Sequence, residues 1–242
     1  MNYPEIVSRA DWQAQRDELL KAEKELMRSH DALNARRRRL PMTEIVHDYR
    51  FASPTRNDLR LIDLFDGRDQ LIVYHNMLND GSDHICPGCS KYSDNLMNNF
   101  AHLHARRTTF TMVARAKVPQ IEQVKARMGW TFPWVSCHGS TFHEDMVTAQ
   151  DNASFGLSVF IRRGERVFQG WFTSGRGVEQ ASNTFGLLDL TPWGRQEAWE
   201  QSPAGWPQEP TYGWLRLHDE YPASESPARQ QGALHLAAAG NA

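Results

Sequence analysis

The stretch from Gln70 to Tyr92, QLIVYHNMLNDGSDHICPGCSKY, decides the fold that we predict for this chain. Its first eight residues are rich in β-branched and aromatic side chains, which predicts a buried strand. A polar loop then leads to the motif CPGC at 86–89. After the motif, residues 91–103 carry apolar side chains at the spacing of one helical face. The sequence therefore predicts a strand, a cysteine pair and a helix in direct succession.

The remaining pattern extends this unit into an α/β domain. The predicted elements are a strand at 108–114, a helix at 119–128, a strand at 134–137, a hairpin of 157–161 with 166–172, and a last helix that opens at Thr191-Pro192. A crossover helix between strands implies parallel pairing, and the late hairpin makes the sheet mixed. This order is the thioredoxin layout, with a mixed central sheet flanked by helices.

The two ends of the chain read differently from the middle. Residues 1–40 form a predicted helical extension, running from about Tyr3 to Leu40, because large apolar side chains recur in it every seven residues. Such a helix packs on its own domain or pairs with a second copy in a homodimer. Residues 41–221 form the predicted thioredoxin-like domain, and residues 222–242, rich in Ala, Ser, Gln and Gly, are predicted to be a disordered tail.

Composition limits the partners and the compartment. The 242 residues include 27 Lys and Arg against 29 Asp and Glu, a formal net charge of −2, so no basic excess points to nucleic acid. No apolar run is long enough to predict a transmembrane helix, and the first residues do not read as a signal peptide. We therefore expect a cytoplasmic protein that binds neither nucleic acid nor membrane. In that compartment a CxxC pair is catalytic or metal-binding more often than structural.

Five blocks of sequence carry a resemblance to a known family. They are LIDLFDGRDQLIVYHNML, CPGCS, FPWVSC, RGVEQ and LDLTPWGRQE, and they extend over about residues 11–197. They resemble the signature blocks of the thioredoxin-like family catalogued as domain of unknown function 899. The resemblance implies a thioredoxin-like fold and a dithiol–disulfide oxidoreductase activity. Cys137 departs from the family pattern, which has a serine there.

The chemistry of disulfide exchange assigns a role to each cysteine of the motif. Exchange needs a thiolate, a second thiol that resolves the mixed disulfide, and stabilisation of negative charge. A helix that begins at the motif directs its free N–H groups at the first sulfur, which lowers the pKa of that thiol. We therefore predict Cys86 as the attacking thiol and Cys89 as the resolving thiol. The expected partner is a thiol or disulfide, on a protein or a small molecule, and no cofactor is expected.

Three further residues are candidates for binding the substrate. The resemblance implies a backbone segment that packs against the CxxC, and Phe155-Gly156 holds that place, without the proline usual in thioredoxin-like proteins. Arg176, between two glycines, is a candidate for holding an anionic group. Trp134 is a candidate for lining an aromatic groove, with core packing as its alternative use.

Three alternatives to the oxidoreductase stay open from the sequence. In the first, the fold is a binding module and the CxxC is inert. In the second, Cys86, Cys89, Cys137 and His138 hold zinc, although neighbouring residues on a strand point to opposite sides, and we predict no metal. The third is a thiol peroxidase, but the positions at which peroxiredoxins carry Pro and Thr are occupied here by Asn79 and Asp83.

Overall fold

The computed structural model of the chain describes residues 3–97 and 99–222. The strands are β1 (Thr43–Ile45), β2 (Arg50–Phe51), β3 (Leu59–Arg60), β4 (Gln70–His75), β5 (Thr108–Ala114), β6 (Trp134–Ser136), β7 (Gly156–Arg163) and β8 (Arg166–Thr173). The α-helices are α1 (Arg9–Arg37), α2 (Pro87–Asp94), α3 (Ala101–His104), α4 (Val118–Met128), α5 (Ala149–Asp151) and α6 (Asn183–Leu188). Two 3-10 segments (Leu61–Phe65 and Gly175–Ala181) and a π-helical turn (Glu144–Thr148) complete the set.

The central sheet is mixed, as the sequence predicted. Its six strands lie in the order β1-β8-β7-β4-β5-β6. β5 runs parallel to β4 and to β6, whereas β7 is antiparallel to β4 and β8 is antiparallel to β7. Because His75 at the end of β4 pairs with Gly156 at the start of β7, the loop that leads to the CPGC motif leaves the sheet beside the beginning of β7.

Apolar side chains cover both faces of this sheet. Leu71 and Val73 of β4 belong to one buried cluster, while Tyr74 belongs to the other. All seven residues of β5 are buried. Residues 108–114 (TTFTMVA) are rich in β-branched and aromatic side chains, which favour a strand, and β5 has the predicted bounds.

The helix predicted over 91–103 is interrupted in the structure. α2 ends at Asp94, and the four-residue α3 begins only at Ala101. Asn95 ends α2 because its side-chain amide donates to the carbonyl of Lys91 at 2.6 Å, and its side-chain oxygen accepts from the N–H of Thr184 at 2.6 Å. The prediction of one helix was wrong because a tertiary contact to Thr184 competes with the backbone hydrogen bonds that would continue the helix.

The predicted helix at Thr191-Pro192 is also absent, and α6 lies just before that position. The N–H of Thr191 donates to the carbonyl of Leu188 at 2.8 Å, and the N–H of Gly194 donates to the carbonyl of Thr191 at 3.1 Å. Gly194 has a positive φ of 61°. These turns place Arg195 where it forms ion pairs with Glu179 and Asp189. The sequence Thr191-Pro192, which is typical of a helix start, therefore lies in a loop in this protein.

The N-terminal extension is a helix, although it is shorter than predicted. α1 begins at Arg9 because Ser8 caps it, with the Ser8 hydroxyl oxygen accepting from the N–H of Asp11 at 3.2 Å. None of its residues is buried. In the part of the chain that the structure describes, no helix is both long and apolar enough to cross a membrane. The predicted tail lies outside the described residues, apart from Pro222.

Candidate functional site

The CPGC motif forms the junction between the loop after β4 and the start of α2. Cys86 is the N-cap residue, and Pro87 occupies the first helical position, where its fixed φ suits the helix and its missing N–H costs nothing. The N–H of Cys89 donates to the sulfur of Cys86 at 3.4 Å. Cys86 is partly exposed, whereas Cys89 is 2% exposed, and both are free thiols. The junction thus presents the first sulfur and encloses the second.

The two thiols differ strongly in acidity. A hydrogen bond that Cys89 donates to the sulfur of Cys86 is the largest cause that lowers the pKa of Cys86 to about 6. Burial opposes this shift, while the N–H groups of Cys89 and Gly88 and the charge of His84 add to it. The same bond, together with burial, raises the pKa of Cys89 well above its ordinary value. At neutral pH Cys86 is therefore the thiolate and Cys89 the thiol.

A tyrosine contacts the second sulfur from the sheet side. The hydroxyl of Tyr74, on β4, donates to the sulfur of Cys89 at 3.4 Å. The ring of Tyr74 stacks on that of Tyr92, with centroids 3.9 Å apart and planes 9° from parallel. Burial raises the pKa of Tyr74, so its hydroxyl keeps its proton. Its bond to sulfur favours the Cys89 thiolate and partly offsets the effect of burial.

A cavity of about 470 Å³ opens beside the two cysteines. Its size is that of a small-molecule site. Most of its wall is apolar, and that part is formed by Tyr74, Pro87, Tyr92, Phe155, Val178, Phe185 and Leu215. The polar side chains in the wall are Lys91, Arg176, Glu179 and Tyr212.

Residues far from the motif in sequence complete this wall, and buried polar contacts hold them in place. Arg195, whose side chain is 6% exposed, pairs with Glu179 and with Asp189, each at 2.7 Å. The ammonium group of Lys91 donates to the hydroxyl of Ser182 at 2.8 Å. Segment 175–185 is thereby fixed against α2.

Two cations face the cavity in different ways. The Lys91 ammonium lies 3.3 Å from the ring centroid of Phe185, and burial lowers the pKa of Lys91 to about 8. The guanidinium of Arg176 stacks over Trp199 at 4.1 Å, and its side chain is 59% exposed. Arg176 also lies 3.5 Å from the carboxylate of Glu179. One cation is thus inside the wall and the other is at its rim.

The structure brings some of the predicted site residues together and separates others. Cys86, Cys89 and Arg176 line the same cavity. Gly156 does not line it, but the preceding Phe155 does. A Cβ at Gly156 would lie 2.5 Å from the Phe172 ring, so this position requires glycine for packing.

Trp134 does not belong to the candidate site. It is 3% exposed and lies in the core, with its ring centroid 6.0 Å from that of Trp130 and 6.1 Å from that of Phe132. The prediction that it lines a groove is therefore replaced by its alternative, core packing.

Sequence reasoning did not single out Lys91, Glu179, Phe185, Tyr212 or Leu215 as site residues. For Lys91 a signal existed, because it lies on the helix that the motif begins, five residues after Cys86. For the other four no local signal existed, since only tertiary folding brings them to the cysteines.

The residues of the zinc alternative do not assemble. Cys137 is fully buried in the core cluster that contains Phe142, whereas Cys89 lies in the other cluster, and burial raises the pKa of Cys137 to about 12. Across residues 3–97 and 99–222 there is no group of three or more His, Cys, Asp or Glu positioned to hold a metal ion. This geometry does not favour zinc.

The positions relevant to the peroxidase alternative lie elsewhere too. Asn79 lines a separate polar cavity of about 390 Å³ that does not include Cys86. Asp83 is exposed. Neither Asn79 nor Asp83 lines the cavity beside the cysteines.

The fold and the site define an α/β protein with an acidic thiol at the start of a helix and an apolar cavity beside it. The chain belongs to DUF899, a family of bacterial proteins of unknown function, whose model matches residues 1–221. The family resemblance of the sequence blocks is thereby confirmed. No curated protein matches the chain.

Proposed function

We propose that the chain has a thioredoxin-like fold and acts as a thiol–disulfide oxidoreductase. The strand order β8-β7-β4-β5, with β4 and β5 parallel and the hairpin antiparallel, supports the fold. The CPGC pair begins the helix that follows β4, which is where thioredoxin-like proteins carry their redox pair. The cytoplasmic location expected from the sequence is part of this proposal.

The reaction needs only the two thiols and a disulfide substrate. The Cys86 thiolate attacks one sulfur of the substrate, the substrate S–S bond breaks, and one half leaves as a thiolate. Cys89 then loses its proton to that thiolate or to solvent and attacks the Cys86 sulfur, which releases the other half. Two electrons pass to the substrate and a Cys86–Cys89 disulfide forms, which a small thiol reductant opens again by the reverse exchange.

One observation carries the proposal, namely the different environments of the two sulfurs. The partly exposed Cys86 has a pKa of about 6, while the buried Cys89 keeps its proton. An attacking thiol must be ionised and accessible, and a resolving thiol must be near and protected. Cys137 meets neither condition of an attacking thiol, because it is fully buried and its pKa is raised to about 12.

Iodoacetamide labelling with peptide mapping across pH 5 to 9 tests the assignment. Only the thiolate reacts, so we expect the Cys86 rate to be half-maximal near pH 6 and constant above about pH 7. Cys89 should label far more slowly over the whole range. Cys137→Ser is the matched control and should leave the Cys86 profile unchanged.

Trapping completes this test. Cys89→Ser should accumulate a mixed disulfide at Cys86, since attack is kept and resolution is lost, while Cys86→Ser should trap nothing. If Cys86 titrates like a free thiol near pH 8.5 and neither variant traps a substrate, the redox function is wrong. Stoichiometric zinc with both thiols blocked would favour the metal-binding alternative instead.

A further inference from the structure

We propose that the substrate of this site is a small disulfide with an aromatic or otherwise apolar body and an anionic group, and not a disulfide of a folded protein. The inference rests on the thiol–disulfide exchange proposed above and adds the class of substrate. It follows from the shape, the lining and the charge of the cavity beside Cys86.

The shape of the site favours a small molecule. The attacking thiol lies in the wall of a concave cavity of about 470 Å³, within the size range of sites that enclose small ligands. A disulfide in a folded protein joins two backbone segments, and both segments must approach the attacking sulfur. Such a substrate therefore needs an open surface around that sulfur. Here segment 175–185 stands beside the motif, held by the bonds from Lys91 to Ser182 and from Asn95 to Thr184.

The lining of the cavity favours an apolar, flat body. Tyr92, Phe155 and Phe185 present aromatic rings to it, and Leu215 adds an aliphatic side chain. Aromatic rings bind other aromatic groups by offset or edge contacts in addition to burying their area. An extended polar peptide would leave backbone N–H and C=O groups unpaired against such a wall.

The charges favour an anionic group on that body. Lys91 hydrogen bonds to the neutral hydroxyl of Ser182 and, among the described residues, forms no ion pair within 4.0 Å. Arg176 lies at the rim with a side chain that is 59% exposed, and its guanidinium is 3.5 Å from the carboxylate of Glu179. The one carboxylate in the wall, Glu179, is occupied by Arg195 at 2.7 Å and by the hydroxyl of Tyr212.

A second carboxylate lies behind the wall and is occupied as well. Glu197 is fully buried, and it accepts hydrogen bonds from the indole N–H of Trp199 at 2.6 Å and of Trp214 at 2.8 Å. An incoming carboxylate or sulfonate therefore meets two cations, Lys91 and the largely exposed Arg176. The ion pair of Arg176 with Glu179 is long at 3.5 Å, and Glu179 is held more closely by Arg195 and Tyr212.

Two chromogenic probes that differ only in charge test the proposal. They are 5,5′-dithiobis(2-nitrobenzoate) and its neutral bis-amide, each assayed with the full chain and dithiothreitol, with rates divided by those of dithiothreitol alone. We expect Lys91→Gln and Arg176→Gln each to lower kcat/KM for the anionic probe about 10-fold, mainly through KM, as loss of a charge-assisted contact predicts. For the neutral probe we expect a change below about 2-fold, since the aromatic lining is kept. Arg176→Lys should restore most of the loss.

The controls remove the same charges far from the cavity. Lys24→Gln on α1 and Arg163→Gln at the tip of the β7–β8 hairpin should change neither rate. Equal losses of kcat/KM for both probes in the Lys91 and Arg176 variants would overturn the proposal that the substrate carries an anionic group. Faster normalised reduction of the insulin disulfides than of either probe would overturn the small-molecule class.

A binding measurement separates this proposal from the function on which it rests. Cys86→Ser cannot turn over, yet it should bind the anionic dye 8-anilinonaphthalene-1-sulfonate, with fluorescence that Arg176→Gln diminishes and Arg163→Gln does not. Such binding without any disulfide turnover by the unmodified chain would overturn the oxidoreductase function and leave the ligand class of the cavity supported. Turnover without charge-dependent binding or kinetics would overturn the ligand class and leave the oxidoreductase supported.

Discussion

At the scale of single residues, a few atoms make two neighbouring cysteines chemically different. The sulfur of Cys86 accepts hydrogen bonds at a helix start. The sulfur of Cys89 lies in the core, where it accepts hydrogen bonds from the hydroxyl of Tyr74 and from the backbone of Met77. That hydroxyl lowers the cost of ionising a buried thiol. Tyr74 is therefore the residue that should set how fast Cys89 resolves a mixed disulfide.

We predict that Tyr74→Phe slows this resolution. Loss of a hydrogen bond worth about 1 kcal/mol makes the Cys89 thiolate rarer and should reduce the rate roughly 3- to 10-fold, while the attack by Cys86 keeps its rate. Stopped-flow measurement of leaving-group release separates the two steps. Tyr92→Phe is the control, because it removes a hydroxyl from the ring that stacks on Tyr74 and leaves the bond from Tyr74 to Cys89 in place. Equal slowing of both steps would contradict this role.

At the scale of elements, α1 differs from α2 and α4 because none of its residues is buried. Trp12, Leu19, Leu26 and Leu33 are each between 42% and 71% exposed, and they recur every seven residues along one side of the helix. The helix contacts the domain near its end, where Arg37 donates to Gln180 and lies 5.1 Å from the Trp171 ring centroid. An apolar stripe of this length, left uncovered, is a surface for association.

We predict that the chain is a homodimer that pairs through this stripe. Leu19→Glu combined with Leu26→Glu should halve the mass measured by light scattering, because charges would have to be buried between the helices. The labelling of Cys86 should stay unchanged. Lys24→Glu, exposed on the same helix, is the control and should keep the dimer. A soluble monomer at all concentrations of the unchanged chain would contradict the prediction.

At the scale of the whole molecule, the site depends on how the C-terminal part of the described chain folds back over α2. Arg195 is central to this arrangement, because it pairs with Glu179 in the cavity wall and with Asp189 after α6. A buried pair adds little net stability, yet removal of one partner leaves an uncompensated charge. The ion pair of Arg195 with Glu179 therefore fixes the position of the cavity wall.

We predict that Arg195→Gln lowers the free energy of unfolding by about 3 kcal/mol and opens the cavity. Urea unfolding measures the first effect, and a faster reaction of Cys86 with a bulky maleimide measures the second. Arg163→Gln, at the hairpin tip, should change neither. If the variant lost stability but Cys86 reacted at its original rate, Arg195 would be structural only and would not close the cavity.

The sequence by itself determined the elements whose signal is local. The β-branched and aromatic residues of β5, the hairpin turn around Gly164 and the CPGC motif after β4 are each a signal carried by neighbouring residues. The structure has these strands and the helix start where they were predicted. For the same reason Cys86 and Cys89 could be assigned roles from spacing, as helix geometry alone directs N–H groups at the first sulfur.

Only the tertiary structure decided the rest of the site. Asn95 ends α2 through a contact with Thr184, which lies 89 residues further along the chain. Trp134 enters the core because its strand, β6, pairs with β5 inside the folded sheet. The wall formed by Phe185 and its neighbours likewise has no local pattern. A contact between distant segments, such as that of Asn95 with Thr184, competes with local propensity and can override it, because burial and satisfied polar groups contribute more free energy than propensity does.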